Sequence, residues 1–361
     1  MPTATADPAE EAFAQLGMEV PLAQVDKELK KLWEADNAKT RASLINFAIY
    51  SEEIANLGRN NALLDGITAQ HACRALMILS RPTQGQPRAR AWINALCRPY
   101  QGQQTVCCEQ ISFLLDGGDA AQVQNIVFAH LDSDLPLVVW WQGTLTRNFE
   151  ERLSSRIATL IVDSATWANP CAEIDVLTDA REHSGEKLDI RDLSWTRSHF
   201  VRLALAACFQ DQVACASLPR VEEITIRHAK GHRVAALLLG AWVAQRLGGV
   251  LDESLPGFQF RRKTAGPDIS VTLEEMADGH ALQSLSLNGK DMTAVISRDA
   301  NSPYVHVCGS CGDHRQDEIF PADVESETEL ISEQLSRAGG TTLYSSMLPT
   351  LRKMVGKSGC A

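Results

Sequence analysis

Nine residues, His306-Val307-Cys308-Gly309-Ser310-Cys311-Gly312-Asp313-His314, hold the densest set of groups able to do chemistry. Two cysteines separated by two small residues can close as a disulfide or meet on one metal ion. His306 and His314 would complete a zinc set, but zinc modules usually draw ligand pairs from separated segments, and this segment is cramped. A redox pair at Cys308 and Cys311 is sterically easier, because Gly309 and Gly312 permit the turn. The third reading is two reduced thiols without a role, since Cys-x-x-Cys alone is only indicative.

A basic cluster, Arg227-His228-Ala229-Lys230-Gly231-His232-Arg233, stands out on an acidic chain. It falls between an expected strand and an expected helix. There Arg227, Lys230 and Arg233 could hold an anion such as a sugar phosphate at the helix N-terminus. They could equally meet an acidic partner, or form a solvated turn. Arg81, Arg88, Arg90 and Arg98, around Pro82 and Pro87, carry the same alternatives.

Aromatic residues supply candidates for partner binding. Leu135-Pro136-Leu137-Val138-Val139-Trp140-Trp141-Gln142-Gly143 reads as a strand entered from the turn Asp132-Ser133-Asp134. Alternation along a strand sends Trp140 and Trp141 to opposite faces. One ring is then core, and the other roofs a pocket or meets a partner; alternatively, helices cover both. Further on, Asp192-Leu193-Ser194-Trp195-Thr196-Arg197 offers Trp195 and Arg197, residue types favoured at binding hot spots. Their bland reading is a buried ring and a structural ion pair. Asp192 or Ser194 can cap the following helix.

Composition narrows the classes. The chain has 361 residues, enough for about two domains. Apolar residues are 45% and charged residues 22%, ordinary for a soluble globular protein. A net charge of −11 argues against a general nucleic-acid role. No run approaches the roughly 20 apolar residues of a membrane span; Ala235–Val243 is the nearest, bounded by Arg233 and Arg246. No export signal is visible, so a cytoplasmic location and mostly reduced cysteines are expected. Cys73, Cys97, Cys208 and Cys215 lie in apolar periodic segments and read as small hydrophobes. There is no Gly-rich dinucleotide fingerprint or phosphate loop, and Gly117-Gly118-Asp119 lacks the spacing, so no cofactor site is supported.

The elements that must position these groups follow from periodicity. Helices are expected over 21–35, 120–131, 149–153, 172–182 and 195–216. Strands are expected over 41–50, 73–79, 91–97, 105–115, 135–141 and 157–163. This alternation gives an N-terminal α/β layer with a mixed sheet, over residues 21–217, behind a flexible tail, 1–20. From 218 to 361 the texture changes to an α+β domain. A strand at 221–228 and a helix at 233–247, capped by Gly248-Gly249, precede short strands at 258–263, 269–273, 282–287, 292–298 and 304–308. Asn288-Gly289 signals a hairpin, and an antiparallel sheet follows. Helices at 327–335 and 343–354 close the chain.

Arg41-Ala42-Ser43-Leu44-Ile45-Asn46-Phe47, Cys73-Arg74-Ala75-Leu76-Met77-Ile78-Leu79, Leu135-Pro136 through Trp140-Trp141-Gln142-Gly143, Asp192 through Arg197, and Glu329-Leu330-Ile331-Ser332-Glu333-Gln334-Leu335-Ser336-Arg337 occur in a familiar order. In these motifs the chain resembles the OpcA family of glucose-6-phosphate dehydrogenase assembly proteins, from about residue 22 to 350. The paired tryptophans followed by Asp-Leu-x-Trp-x-Arg are the most specific. The resemblance implies a non-catalytic assembly factor or allosteric activator of glucose-6-phosphate dehydrogenase, at the entry of the oxidative pentose phosphate pathway. The cysteine-rich end departs from the pattern, so no thiol role is carried over. The competing class is a thiol-redox or metal-binding sensor or enzyme built on Cys308 and Cys311.

Overall fold

The structure, a computed structural model, describes residues 12–34, 39–41, 43–82, 86–100, 104–117, 119–185, 187–337 and 342–359. The first strands and helices are β1 (Met18–Val20), α1 (Val25–Glu34), β2 (Lys39–Arg41), β3 (Ile45–Ser51), α2 (Asn56–Thr68), β4 (Cys73–Arg81), β5 (Arg88–Tyr100), β6 (Gln104–Asp116), α3 (Ala120–Ala129), β7 (Leu137–Trp141), α4 (Leu145–Asn148), α5 (Glu151–Ser154), β8 (Thr159–Val162), α6 (Pro170–His183) and β9 (Asp189–Asp192). Then follow α7 (Leu193–Thr196), α8 (His199–Ala207), α9 (Gln212–Ser217), β10 (Val221–Ala229), α10 (Arg233–Arg246), β11 (Gly249–Leu251), β12 (Phe258–Arg262), β13 (Ile269–Met276), β14 (Leu282–Gly289), β15 (Met292–Ser297), β16 (Tyr304–Cys311), β17 (His314–Pro321), α11 (Glu327–Ser336) and α12 (Thr342–Lys357).

Contacts gather the described residues of Met1–Val162, Val176–Ile190 and Ile331–Gly339 into one unit. Those of Asp163–Asp175, Arg191–Leu330 and Gly340–Ala361 form the other. This differs from the boundary expected at 217/218. Residues 191–217 belong with the second unit because Asp192, Trp195 and Arg197 find their partners there, at Tyr344, Trp242 and Asp163. The expected tail is also shorter. Phe13 and Leu16 are buried, and β1 pairs antiparallel with β5; residues 1–11 lie outside the described residues.

In the first unit the sheet runs β1-β5-β6-β4-β3-β7-β8-β9, with β2 beside β6. Its centre, β6-β4-β3-β7-β8, is parallel, and β1 and β5 are antiparallel. The central strands are apolar along their length because both faces are covered; Phe47–Tyr50 and Ala75–Leu79 are all buried. Entry to β7 is clamped by Asn46. Its amide nitrogen donates to the carbonyls of Asp132 and Leu135, and its oxygen accepts from the Asp132 N–H.

The second unit carries an eight-stranded sheet, β11-β12-β13-β10-β14-β15-β16-β17. It is antiparallel, as expected, except that β10 and β13 run parallel. Its strands alternate between buried and part-exposed residues, the mark of a sheet covered on one face. The covering helix α10 is apolar all round and buried from Val234 to Ala241.

Three local expectations change. The helix expected over 195–216 is split into α7, α8 and α9; Asp211 caps α9 by accepting from Val213 and Ala214. The β14–β15 hairpin turns at Lys290-Asp291, with Asp291 at φ 57°, and not at Asn288-Gly289. Gly289 is needed instead for close approach, since a Cβ there would collide with the Arg220 carbonyl. Cys97 does not act as a small hydrophobe. It lies opposite Cys107 in the β5–β6 ladder, Cα atoms 4.0 Å apart, and the two form a disulfide. Cys171 is also disulfide-bonded, and Cys215 is exposed, whereas Cys73 and Cys208 are buried free thiols as expected.

Candidate functional site

In the first unit, β3, β4 and β7 end side by side, and the carboxyl ends of parallel strands are where such sheets place ligands. Side chains fill this crevice. Trp141 stacks on Tyr50 with ring centroids 3.8 Å apart and meets Phe149 edge-on at 5.2 Å. Asn148 donates to the Tyr50 hydroxyl at 2.6 Å, and that hydroxyl donates to Glu52 at 3.0 Å. Burial pushes the Tyr50 phenol well up. Asn60 and Gln142 exchange two amide hydrogen bonds beside it, at 2.8 and 2.9 Å. Gly143 is required by the packing: a Cβ there would lie 2.6 Å from the Tyr50 ring. Trp140 is 2% exposed and Trp141 3%, so both rings are buried in the core and neither is presented at the surface. Both faces of the strand end are core.

Trp195 and Arg197 are likewise buried, in the second unit. Arg197 donates through both terminal nitrogens to Asp163, at 2.8 and 2.7 Å. Trp195 meets Trp242 edge-on, and the Arg202 guanidinium lies 3.6 Å from the Trp195 ring centre. Asp192, rather than Ser194, caps α7 by accepting from the Ser194 N–H. It also accepts from the Ser164 N–H and the Tyr344 hydroxyl. Desolvation, with Asp163 nearby, pushes the Asp192 carboxyl up to about 6.

A pH dependence follows. Between about pH 4 and 6 the native state keeps a proton on Asp192 that the unfolded chain has lost, so this group's stabilisation falls as pH rises through that window. Urea unfolding of the wild type and Asp192→Asn across pH 4–7 should show a wild-type decline of about 2–3 kcal/mol that the variant lacks. Parallel curves would refute the shifted carboxyl.

The Cys308/Cys311 pair is taken apart by secondary structure. β16 extends to Cys311, three residues past the expected end, and pairs with β17 through the whole motif. Residues three apart in a strand point to opposite faces and span about 10 Å, beyond the roughly 7 Å a disulfide tolerates. Cys308 is exposed and Cys311 buried, with Arg220 donating to the Cys311 sulfur. His306 lies on the face of Cys308, while His314 pairs with Asp211 at 3.3 Å. Among the described residues no three of His, Cys, Asp and Glu gather as metal ligands.

The thiols that do meet were not singled out by the sequence. Cys73 on β4 and Cys108 on β6 are both buried. A hydrogen bond from Cys73 holds the Cys108 thiol below its usual range, and the same contact with burial raises Cys73. In-register parallel strands bring them together.

The basic cluster does not converge either. Arg227 pairs with Glu274 at 3.3 Å on the sheet face away from α10. Arg233 starts α10 and donates to Ser358, and Lys230 is exposed in the turn between. Among the described residues no helix is long and apolar enough to cross a membrane.

Comparison with known proteins follows from the whole chain rather than from one site. A family model described as the glucose-6-phosphate dehydrogenase subunit N-terminal domain matches residues 65–179. Its C-terminal-domain counterpart matches residues 188–348. A protein of Synechocystis sp. named as the OxPP cycle protein OpcA is 24% identical over 82% of this chain. A protein of the same name from Synechococcus elongatus is 25% identical over 84%. The chain spans 65% of the length of the first and 72% of the second. Among solved structures, an aldose-aldose oxidoreductase from Caulobacter crescentus superposes with a TM-score of 0.45 at 13% identity, covering 87% of this chain and 96% of that one. That likeness is too loose to bear on activity.

Proposed function

The chain belongs to the OpcA family of glucose-6-phosphate dehydrogenase assembly proteins, and from this premise we propose that it binds glucose-6-phosphate dehydrogenase and promotes its assembly or raises its activity, without catalysing a reaction itself. The carrying observation is that the two subunit-domain models match in chain order along residues 65–179 and 188–348. The fate of the reactive side chains supports a non-catalytic part. Arg197 and Asp163 neutralise each other, the Tyr50 hydroxyl is held by Asn148 and Glu52, and Cys308 and Cys311 face apart. Trp140, Trp141, Trp195 and Arg197 then influence a partner only through the fold that they hold in shape.

Purified protein should show no dehydrogenase activity alone. Added to purified glucose-6-phosphate dehydrogenase, it should raise kcat/KM or shift the enzyme's oligomer mass by light scattering. A mass shift with parallel activity gain identifies assembly, and a gain at constant enzyme oligomer identifies activation. If kinetics and scattering of the mixture equal the sum of the parts, the role is wrong.

A further inference from the structure

We propose that the open face of the second sheet is where two copies of this chain dimerise. Helices cover the sheet on one side: α10 packs on β10, β11 and β13, α8 on β15, β16 and β17, and α9 on β16. The residues aimed the other way remain part-exposed or exposed. Register aligns Thr225, Ser286, Val295 and Cys308 in one row across four neighbouring strands of this open face. These side chains are short and uncharged, so this row is flat and cheap to dehydrate.

Charge on this face comes in both signs. On the open face Glu223, Glu274 and Asp317 stand with Arg227, Arg261 and Arg315, and Arg261 is paired with Asp252. Arg227 pairs with Glu274 on the inner strands β10 and β13, and Arg315 and Asp317 lie on the edge strand β17. The chain as a whole carries −11, so two copies repel over most of their surfaces. A face that holds both signs lets a second copy approach and pair its charges.

Area points the same way. Eight strands at about 4.8 Å spacing, each rising about 3.3 Å per residue, make a face of roughly 34 by 20 Å. That is about 700 Å² from each copy, close to the roughly 800 Å² per partner of a stable, specific interface. Two such faces can stack about 10 Å apart, as sheets do in sandwiches.

Cys308 gives a built-in reporter, because it is an exposed free thiol within this row, and Cys215, exposed but on α9, serves as control. Light scattering of the full chain at about 100 µM, reduced and desalted, should give twice the 39.5 kDa chain mass. Val295→Glu should return it to one chain mass while its melt and near-ultraviolet spectrum stay those of a folded protein. Labelling of Cys308 by a maleimide should be at least tenfold slower in the wild-type dimer than in Val295→Glu, with Cys215 labelled equally in both. Ser286→Arg repeats the test should Val295→Glu fail to fold. A wild type at one chain mass, a dimer that survives both substitutions, or equal Cys308 labelling would each overturn the dimer face.

Discussion

Trp141→Ala is expected to cost about 3–5 kcal/mol of folding stability, the range of large aromatic-to-alanine changes in cores. The ring fills the space between Tyr50 and Phe149 at the ends of β3 and β7. Removing it opens a cavity that the stiff parallel strands cannot close. Trp140→Ala should fall in the same range, because that ring is equally buried on the opposite face. Trp141→Phe should recover part of the loss by keeping the stack on Tyr50. Chemical denaturation of the three variants measures this. A loss under about 1.5 kcal/mol, together with weaker binding to glucose-6-phosphate dehydrogenase, would restore an interface role for the ring and contradict the packing.

Arg197→Ala should be as damaging, for an electrostatic reason. It leaves the Asp163 carboxylate buried with the Ser194 hydroxyl and the Ala165 N–H as its donors among the described residues. Breaking one side of a buried pair typically costs about 3–5 kcal/mol. Removing both charges together should cost clearly less than the sum, since no charge is then stranded. Arg197→Lys should fall between, because lysine cannot reproduce the two-pronged contact. Denaturant melts of the single and double variants form the cycle. A single-variant loss below about 1 kcal/mol would mean that water reaches the pair.

The strong periodic segments were legible in the sequence. β4, β7 and α10 lie close to their expected ranges because each is an apolar run with clear borders. α2 was missed: Asn56–Thr68 contains Gly58, Gly66 and three asparagines, all poor helix formers, and it is helical because Leu57, Leu63, Leu64 and Ile67 bury a face. The thiol motif misled because Gly309 looked like a turn. Only Gly312 takes positive φ, at 57°, and the strand continues until there. The polar cluster around Arg197 was half visible. Its arginine and cap were in the Asp-Leu-x-Trp-x-Arg motif, but the partners Asp163 and Tyr344 lie 34 and 152 residues from their mates, a distance that periodicity cannot bridge.

The threading of the two units sets a timetable for synthesis. The first unit includes Val176–Ile190 and the stretch beginning at Ile331, which is fully buried. Nothing translated by Val162 can therefore finish that unit. At about 5–20 residues per second, the ribosome needs on the order of ten seconds or more to deliver the missing pieces. In that interval β8 must wait without β9, its neighbour in the sheet, exposed to chaperones. Genes shortened before Ile331 should yield chains retained by chaperones rather than a free N-terminal half.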